Sequence, residues 1–468
     1  MASYDTIIRN GTVVTQLGTF DGDIGIEAGQ IKTLSSSDSD QASKVINADG
    51  KYVFPGVIDP HVHLSSARSF KENCTPETTS MAFGGVTSVL SFVTSSGTFD
   101  DVFKEEIDLI SKESMIDVGL HAIIANIQQA EEIPRYARDY GVTSFKFYLG
   151  ANGAELYPGT IGASDAAVYL GFQKISELGY PATAQVHAEN WDICFMLRDK
   201  FIAEGKTGQA DFADSRPRIC EIECISRAIL FAKYLKTRLY VVHVSTKEGP
   251  EMISDAREEG VNVVGETCPH YLALTKNDKH EVIAKVNPPI REKEDNEGLW
   301  SGLKSGGISC MGSDHIPGRS KQLASDNAFT SKAGGLPGSN MILPLLMSDG
   351  VRKGKLTLER ASEVTSVNTA KWFGLYPKKG SLLPGSDADI AIVDPKREVL
   401  VTPESMHLTS DYTWFRGLKL VGFPMLTMVR GNIVFEDGEL VGKAGRAKYL
   451  PRKVGTSAHE RPVEPMVV

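Results

Sequence analysis

Residues 52–63, YVFPGVIDPHVH, form a largely apolar run that ends on two histidines one residue apart. A short apolar run closing on polar side chains suits a buried strand of a parallel sheet whose C-terminal end carries chemistry. Seven later segments share this texture: TSVLSFVTS (87–95), DVGLHAIIAN (117–126), TSFKFYLG (143–150), PATAQVHAEN (181–190), TRLYVVHVST (237–246), NVVGETCPH (262–270) and ISCMGSDH (308–315). Amphipathic stretches such as FDDVFKEEIDLISKES (99–114) lie between most of them. Strands alternating with helices in this way predict an α/β fold, a parallel sheet closed as a (β/α)8 TIM barrel. An open doubly wound sheet is the competing fold, but no GxGxxG follows any of these strands.

The two ends of the chain read differently. DTIIRNGTVV, DIGIEAGQIKTLS and KVINADGKYV near the start, and SLLPGSDADIAIVD and LVGFPMLTMVRGNIVFEDGEL near the end, alternate apolar residues with Asn-Gly and Ala-Gly breaks. That pattern suits antiparallel strands. The expected organisation is a small β-sandwich from residues 1–54 plus 381–440, a catalytic barrel over 55–380, and a basic, weakly periodic C-terminal arm over 441–468, lying on a neighbouring surface or loose.

Composition bounds the function. Hydrophobic residues at 41% and charged residues at 23% exclude a disordered or fibrous chain. A net charge of -9 argues against nucleic acid or an anionic membrane as partner. The N-terminus lacks a signal-peptide pattern and no long apolar run could span a bilayer. Six scattered cysteines suit a reducing cytoplasm. Cys220 and Cys224, four apart on a helical pattern, read as packing residues rather than a metal clip.

Sorting polar residues by strand position gives the functional signal. His61 and His63 end the first strand and, two apart, share a face; Lys146 lies in the fourth, His187 ends the fifth, His243 the sixth and Asp314 the eighth. All reach the C-terminal rim, where barrel enzymes do their chemistry. Imidazoles with a carboxylate suit a borderline divalent ion such as zinc, with manganese or iron as alternatives. Lys146 faces inward with Ser144 and Tyr148; it either pairs with a buried carboxylate or has reacted with carbon dioxide to form a carbamate. His315 points to the opposite face and is expected to orient a neighbouring loop.

Taken together, FPGVIDPHVHL (54–64), FKFYLG around Lys146, VHAEN (186–190), VVHVSTKEG (241–249), ETCPHYL (266–272), KVNPPIR (285–291), GSDHIP (312–317) and SLLPGSDADIAIVDP (381–395) resemble, in order, the cyclic amidohydrolases of the hydantoinase, dihydropyrimidinase and allantoinase group. The resemblance implies a metal-dependent hydrolase that opens the amide bond of a cyclic ureide or imide with a hydroxide shared by two divalent ions, zinc by preference. It makes His61, His63 and Asp314 ligands of one ion and His187 and His243 ligands of the other, bridged by N6-carboxylysine at Lys146. Asp314 would carry the proton from the attacking water to the departing nitrogen. Asn287 and Gly335 would contact a small cyclic amide substrate, and the enzyme would be a cytoplasmic homotetramer or dimer.

Two departures narrow the reading. Dihydropyrimidinases and D-selective hydantoinases of this group carry an oxyanion-holding tyrosine five residues after the bridging lysine, where this chain has Ala151. Dihydroorotases carry a carboxylate-binding arginine two residues after the second histidine of the pair, where it has Ser65. Hydantoinases of the other hand and allantoinases become the nearer expectation, while a metal-free structural homologue is the alternative of another class. Leu64, Phe70, Phe147, Leu149 and Leu156 are considered as an apolar lining for a ring substituent.

Overall fold

The alternation at the N-terminus becomes five strands in the computed structural model, which describes residues 3–35, 40–66, 68–151, 153, 155–157, 160–280, 283–318, 325, 327–331 and 335–455. These are β1 (Ser3–Thr15), β2 (Gly18–Glu27), β3 (Gln30–Thr33), β4 (Gln41–Asn47) and β5 (Tyr52–Pro55). β2 returns antiparallel on β1, and β3 returns on β2 through Ala28 and Gly29, both at positive φ, where the Gly29 backbone needs no Cβ. β4 and β5 instead run parallel to β1, against residues 3–9 and 12–13 respectively. At the N-terminus the expected antiparallel arrangement therefore holds for β1–β3 but not for β4 and β5, since parallel pairing with β1 requires the chain to cross back after β3.

All eight barrel strands form where the apolar runs lie. They are β6 (Val57–Val62), β7 (Val86–Val93), β8 (Asp117–Ile123), β9 (Ser144–Leu149), then, after a small hairpin β10 (Glu155–Tyr157) and β11 (Thr160–Ile161), β12 (Thr183–Ala188), β13 (Leu239–Val241), β14 (Val263–Thr267) and β15 (Cys310–Met311). Neighbours pair in parallel in the order β6-β7-β8-β9-β12-β13-β14-β15. The His63 amide donates to the His315 carbonyl (2.9 Å) and the His315 amide to the His61 carbonyl (3.2 Å), which joins the last strand to the first and closes the barrel. Burial on both faces explains the near-continuous apolar sequence of these strands. The helix Asp100–Glu113 covers the outside with Phe103 and Ile110, as its pattern predicts.

The chain ends on β16 (Ile390–Leu400), β17 (Lys419–Val429), β18 (Asn432–Glu436) and β19 (Glu439–Leu440). β16 pairs antiparallel with β5, so both termini build one nine-stranded sheet around Ile8, Val13, Ile24, Val53, Ile390 and Leu426. Buried Lys379 ties this sheet to the barrel, reaching Asp117 and Asp389 at 2.6 Å each. Beyond it, Tyr449 runs beside Val118 and Arg452 is buried at the bottom of the barrel, so the described part of the expected arm docks on its own barrel. Residues 456–468 of that arm lie outside the described residues, as do parts of the segments 150–160 and 333–340. Cys220 and Cys224 are free and buried on the helix Arg218–Leu235. Among the described residues no helix is long and apolar enough to cross a membrane.

Candidate metal centre

Five barrel strands bring six side chains to one place, each at most 8% exposed: His61, His63, Lys146, His187, His243 and Asp314. Asp314 Oδ1 lies 3.2 Å from Nε2 of both His61 and His63, and Lys146 Nζ lies 3.1 Å from His61 Nε2. The His243 ring stacks on His61 with centroids 5.4 Å apart and meets His187 edge-on at 4.6 Å. Donor atoms of His61, His63 and Asp314 all fall within 4.8 Å of one another, close enough to share an ion. His243 and Asp314 both sit at positive φ, 40° and 50°, a cost that a packed site can hold in place.

Burial dominates the electrostatics. It pushes the Lys146 ammonium down to about 8, with Asp314 and Glu266 pulling the other way. Among the described residues no carboxylate makes an ion pair with Nζ, which instead lies over the rings of Phe92 (4.5 Å) and Tyr148 (5.2 Å). The expected alternative of a lysine paired to a buried carboxylate is thus absent, because Asp314 faces the two histidines and Glu266 faces His61 Nδ1. Burial also takes His63 down to about 4 and His243 well below its ordinary value. For Asp314, burial raises the pKa but the charge and hydrogen bond of His61, with His63, outweigh it and keep the carboxyl ionised.

A second ring of residues, not singled out from sequence, orients the first. Glu266 accepts from His61 Nδ1 (2.7 Å), the His243 amide (3.0 Å) and the Tyr240 hydroxyl (2.9 Å). Glu266 thus fixes the Nδ1 proton of His61, so that loss of the Nε2 proton, which here faces Asp314, would turn a lone pair toward a bound ion. Glu189 takes His187 Nε2 (2.8 Å) while bonded to Arg216 (3.0 Å), which leaves His187 Nδ1 as the ligand atom. Asp59 accepts the amides of His61 and Ser313, pinning β6 to the residue before Asp314. Glu266 closes a barrel strand like the histidines do, and the same sorting by position could have found it.

The donor set fits a metal ion. Both ring nitrogens of His243 are buried with no hydrogen-bond partner among the described residues, a state that buried polar atoms rarely occupy unless something else takes a lone pair. Around the mouth, His315 behaves as expected: Nε2 donates to Glu77 (3.0 Å), so Nδ1 accepts from the Gly338 amide (3.3 Å) and holds the loop that contains Gly335. Gly335 and Asn287 are both buried; the Asn287 segment is fixed by the Tyr271 hydroxyl on the Pro288 carbonyl (2.6 Å). Leu64, Phe70, Phe147 and Leu149 are buried in the main core. A separate apolar cluster, Phe92, Ile123, Tyr148, Ala151 and Trp191 with Leu156 and Phe195 against it, includes ring contacts to His63 and His187 instead.

The amidohydrolase family model matches residues 52–434. Over 95% of its length the chain is 35% identical to the D-hydantoinase of Geobacillus stearothermophilus, covering 96% of that protein, and over 97% it is 34% identical to the allantoinase of Rubrobacter xylanophilus, covering all of it. The solved L-hydantoinase (dihydropyrimidinase) from Arthrobacter aurescens superposes with a TM-score of 0.89 at 34% identity, covering 96% of this chain and all of that one. The chain belongs to the amidohydrolase family, in the cyclic amidohydrolase group that holds the hydantoinases.

Proposed function

We propose that this chain is a metal-dependent cyclic amidohydrolase that opens the amide bond of a cyclic ureide or imide, hydantoinase-like, using two divalent ions, zinc by preference, and a carboxylated Lys146. The observation that carries this reading is the meeting of His61, His63, Lys146, His187, His243 and Asp314 at one end of the barrel, with a lysine whose ammonium burial pushes toward the neutral, carbon-dioxide-reactive amine. Bound ions would supply Lewis acidity toward a carbonyl oxygen and a water whose pKa is lowered toward neutrality.

The residues divide the remaining work. His61, His63 and Asp314 would hold one ion, His187 and His243 the other, with Lys146 between them. Asp314, ionised and anchored by two imidazoles, accepts the proton of the attacking water and returns it to the departing ring nitrogen. Glu266 and Glu189 keep the imidazoles in the tautomers the site needs. Asn287 and Gly335 meet the ring through the loops that carry them. With Ala151 in place of a tyrosine hydroxyl, ring preference shifts away from dihydrouracil and toward hydantoins or allantoin. Residues 55–380 form the catalytic unit, and the enzyme is a cytoplasmic tetramer or dimer, as the resemblance implies.

Metal analysis of purified protein, joined to ring-opening assays on hydantoin, 5-substituted hydantoins, allantoin, dihydrouracil, dihydroorotate and cyclic imides, tests the proposal. Two ions per chain and turnover of at least one ring are expected. A chain with no stoichiometric metal and no turnover would be a structural homologue instead.

A further inference from the structure

Arg452 is a basic residue of the C-terminal arm, yet it is 1% exposed and lies inside the bottom of the barrel. Among the described residues it has no carboxylate partner. Its guanidinium donates instead to the carbonyls of Leu120 (2.7 Å) and Leu450 (3.3 Å) and to the hydroxyls of Ser144 (2.8 Å) and Thr143 (3.4 Å). A buried guanidinium held only by neutral acceptors is costly. A merely structural seal for the barrel floor could be built from apolar side chains, so its acceptors need an account.

They form a directed chain. His121 Nε2 faces the Pro60 carbonyl at 3.0 Å, and a carbonyl only accepts, so the proton is on Nε2 and Nδ1 is the acceptor. The Ser144 hydroxyl donates to that Nδ1 while its oxygen accepts from Arg452, and Gln185 Nε2 packs beside the same nitrogen at 2.9 Å. Burial, and next the Arg452 charge, keep His121 neutral and so able to play both parts. The contacts end beside the site: Pro60 directly precedes His61, and Ser144 stands two residues before Lys146 on the same face of β9. Above His121 lies Phe92, 4.6 Å between ring centroids, and Phe92 in turn supports His61 (4.8 Å), His63 (5.2 Å) and Lys146 (4.5 Å).

We propose that Arg452 is a positioning residue for the metal centre, acting through Ser144 and His121 on the two strands that carry Lys146 and His61. The inference rests on the metal reading of the six side chains. The C-terminal arm is then part of the active-site support. Its removal loosens the 3.1 Å approach of Lys146 to His61 without touching the substrate loops.

The test uses full-length protein loaded with zinc and bicarbonate, as wild type, Arg452→Met, Arg452→Lys and Ser144→Ala. Three readouts are taken: zinc release to a chelating dye, the carbamate signal of Lys146 from isotope-labelled bicarbonate, and kcat against KM. Arg452→Met is expected to release zinc about tenfold faster or more, to lose carbamate signal and to lower kcat with KM within about twofold, while Arg452→Lys restores part of each. Ser144→Ala, which cuts the link but leaves the other bonds of Arg452, is expected to show the same pattern more weakly and decides the matter if Arg452→Met does not fold. Wild-type-like zinc release and carbamate signal in Ser144→Ala and in folded Arg452→Met overturn the role of Arg452. A wild type that holds no stoichiometric zinc overturns the metal reading, and this inference with it.

Discussion

His61 donates its Nδ1 proton to Glu266 Oε1 at 2.7 Å, and the same carboxylate oxygen accepts the His243 amide at 3.0 Å. One buried glutamate on β14 thus sets the imidazole of a residue proposed for the first ion and the backbone of a residue proposed for the second. Glu266→Gln keeps the shape but presents an amide that can turn its N–H toward either donor. We expect metal affinity to fall about 10- to 100-fold, the range for partners of ligating histidines, with the fold intact. Competition with a chelator of known affinity measures it, and unchanged affinity would make Glu266 a packing residue.

Lys146→Ala removes the side chain proposed to become the bridging carbamate, and among the described residues no carboxylate pairs with Nζ to take its place. Activity should collapse and both ions should be held weakly. Short carboxylic acids added to the variant can occupy the space left by the side chain and restore part of the rate. Full turnover with two tightly held ions in Lys146→Ala would falsify the carbamate assignment.

Asp314→Asn tests the proton carrier. The amide is a similar shape and a weaker ligand, so the fold and part of the metal should remain, while the group that accepts and returns the proton is gone. Turnover should drop about a hundredfold or more, at the low end of general acid-base contributions.

How far these residues were legible from sequence depends on whether their role is local. His61 and His63 announce themselves by period-two spacing at the end of an apolar run, and the same runs mark all eight barrel strands, because burial on both faces leaves little room for other residues. Lys146 is conspicuous for the same reason. The parallel pairing of β4 and β5 with β1 was not legible, since pairing partners are chosen by tertiary contacts and not by alternation within a strand. Nor was the docking of Arg452: the tail around it has no period, and its burial depends on acceptors from β8 and β9, some 300 residues earlier in the chain.

Glu106 offers a stability test outside the proposed ligand set. It is 5% exposed and accepts from the Ser65 hydroxyl, and burial pushes its pKa up from 4.5 to about 8. The folded state therefore holds a proton that the unfolded state releases, so the protonated group's contribution is present below about 4.5 and is lost as pH rises to about 8. Glu106→Gln removes this dependence. In urea titrations the variant should come close to wild type near pH 5 and exceed it by about 4 kcal/mol near pH 9. A difference between the two that does not change with pH would count against the buried, protonated carboxyl.

Ala151 is where the resemblance to tyrosine-bearing relatives breaks, and the structure shows why the position is filled by a small residue. It is 2% exposed within the apolar cluster of Tyr148 and Trp191, and a Cβ placed on Gly162 would lie 2.0 Å from the Ala151 Cβ. The backbone on β11's side has closed onto the methyl group, so a phenol at 151 must displace that segment or turn into the mouth of the barrel. Ala151→Tyr should therefore lower turnover on the native ring. The opposing effect is a new hydroxyl donor for the oxyanion, which in a well-formed site contributes about 3–4 kcal/mol, but only at the right distance. With the loop built around alanine, crowding should win, and dihydrouracil should remain a poor substrate of wild type and variant alike. Steady-state rates of both proteins on hydantoin, allantoin and dihydrouracil decide between the two effects, and efficient dihydrouracil opening by wild type would show that the oxyanion needs no tyrosine here.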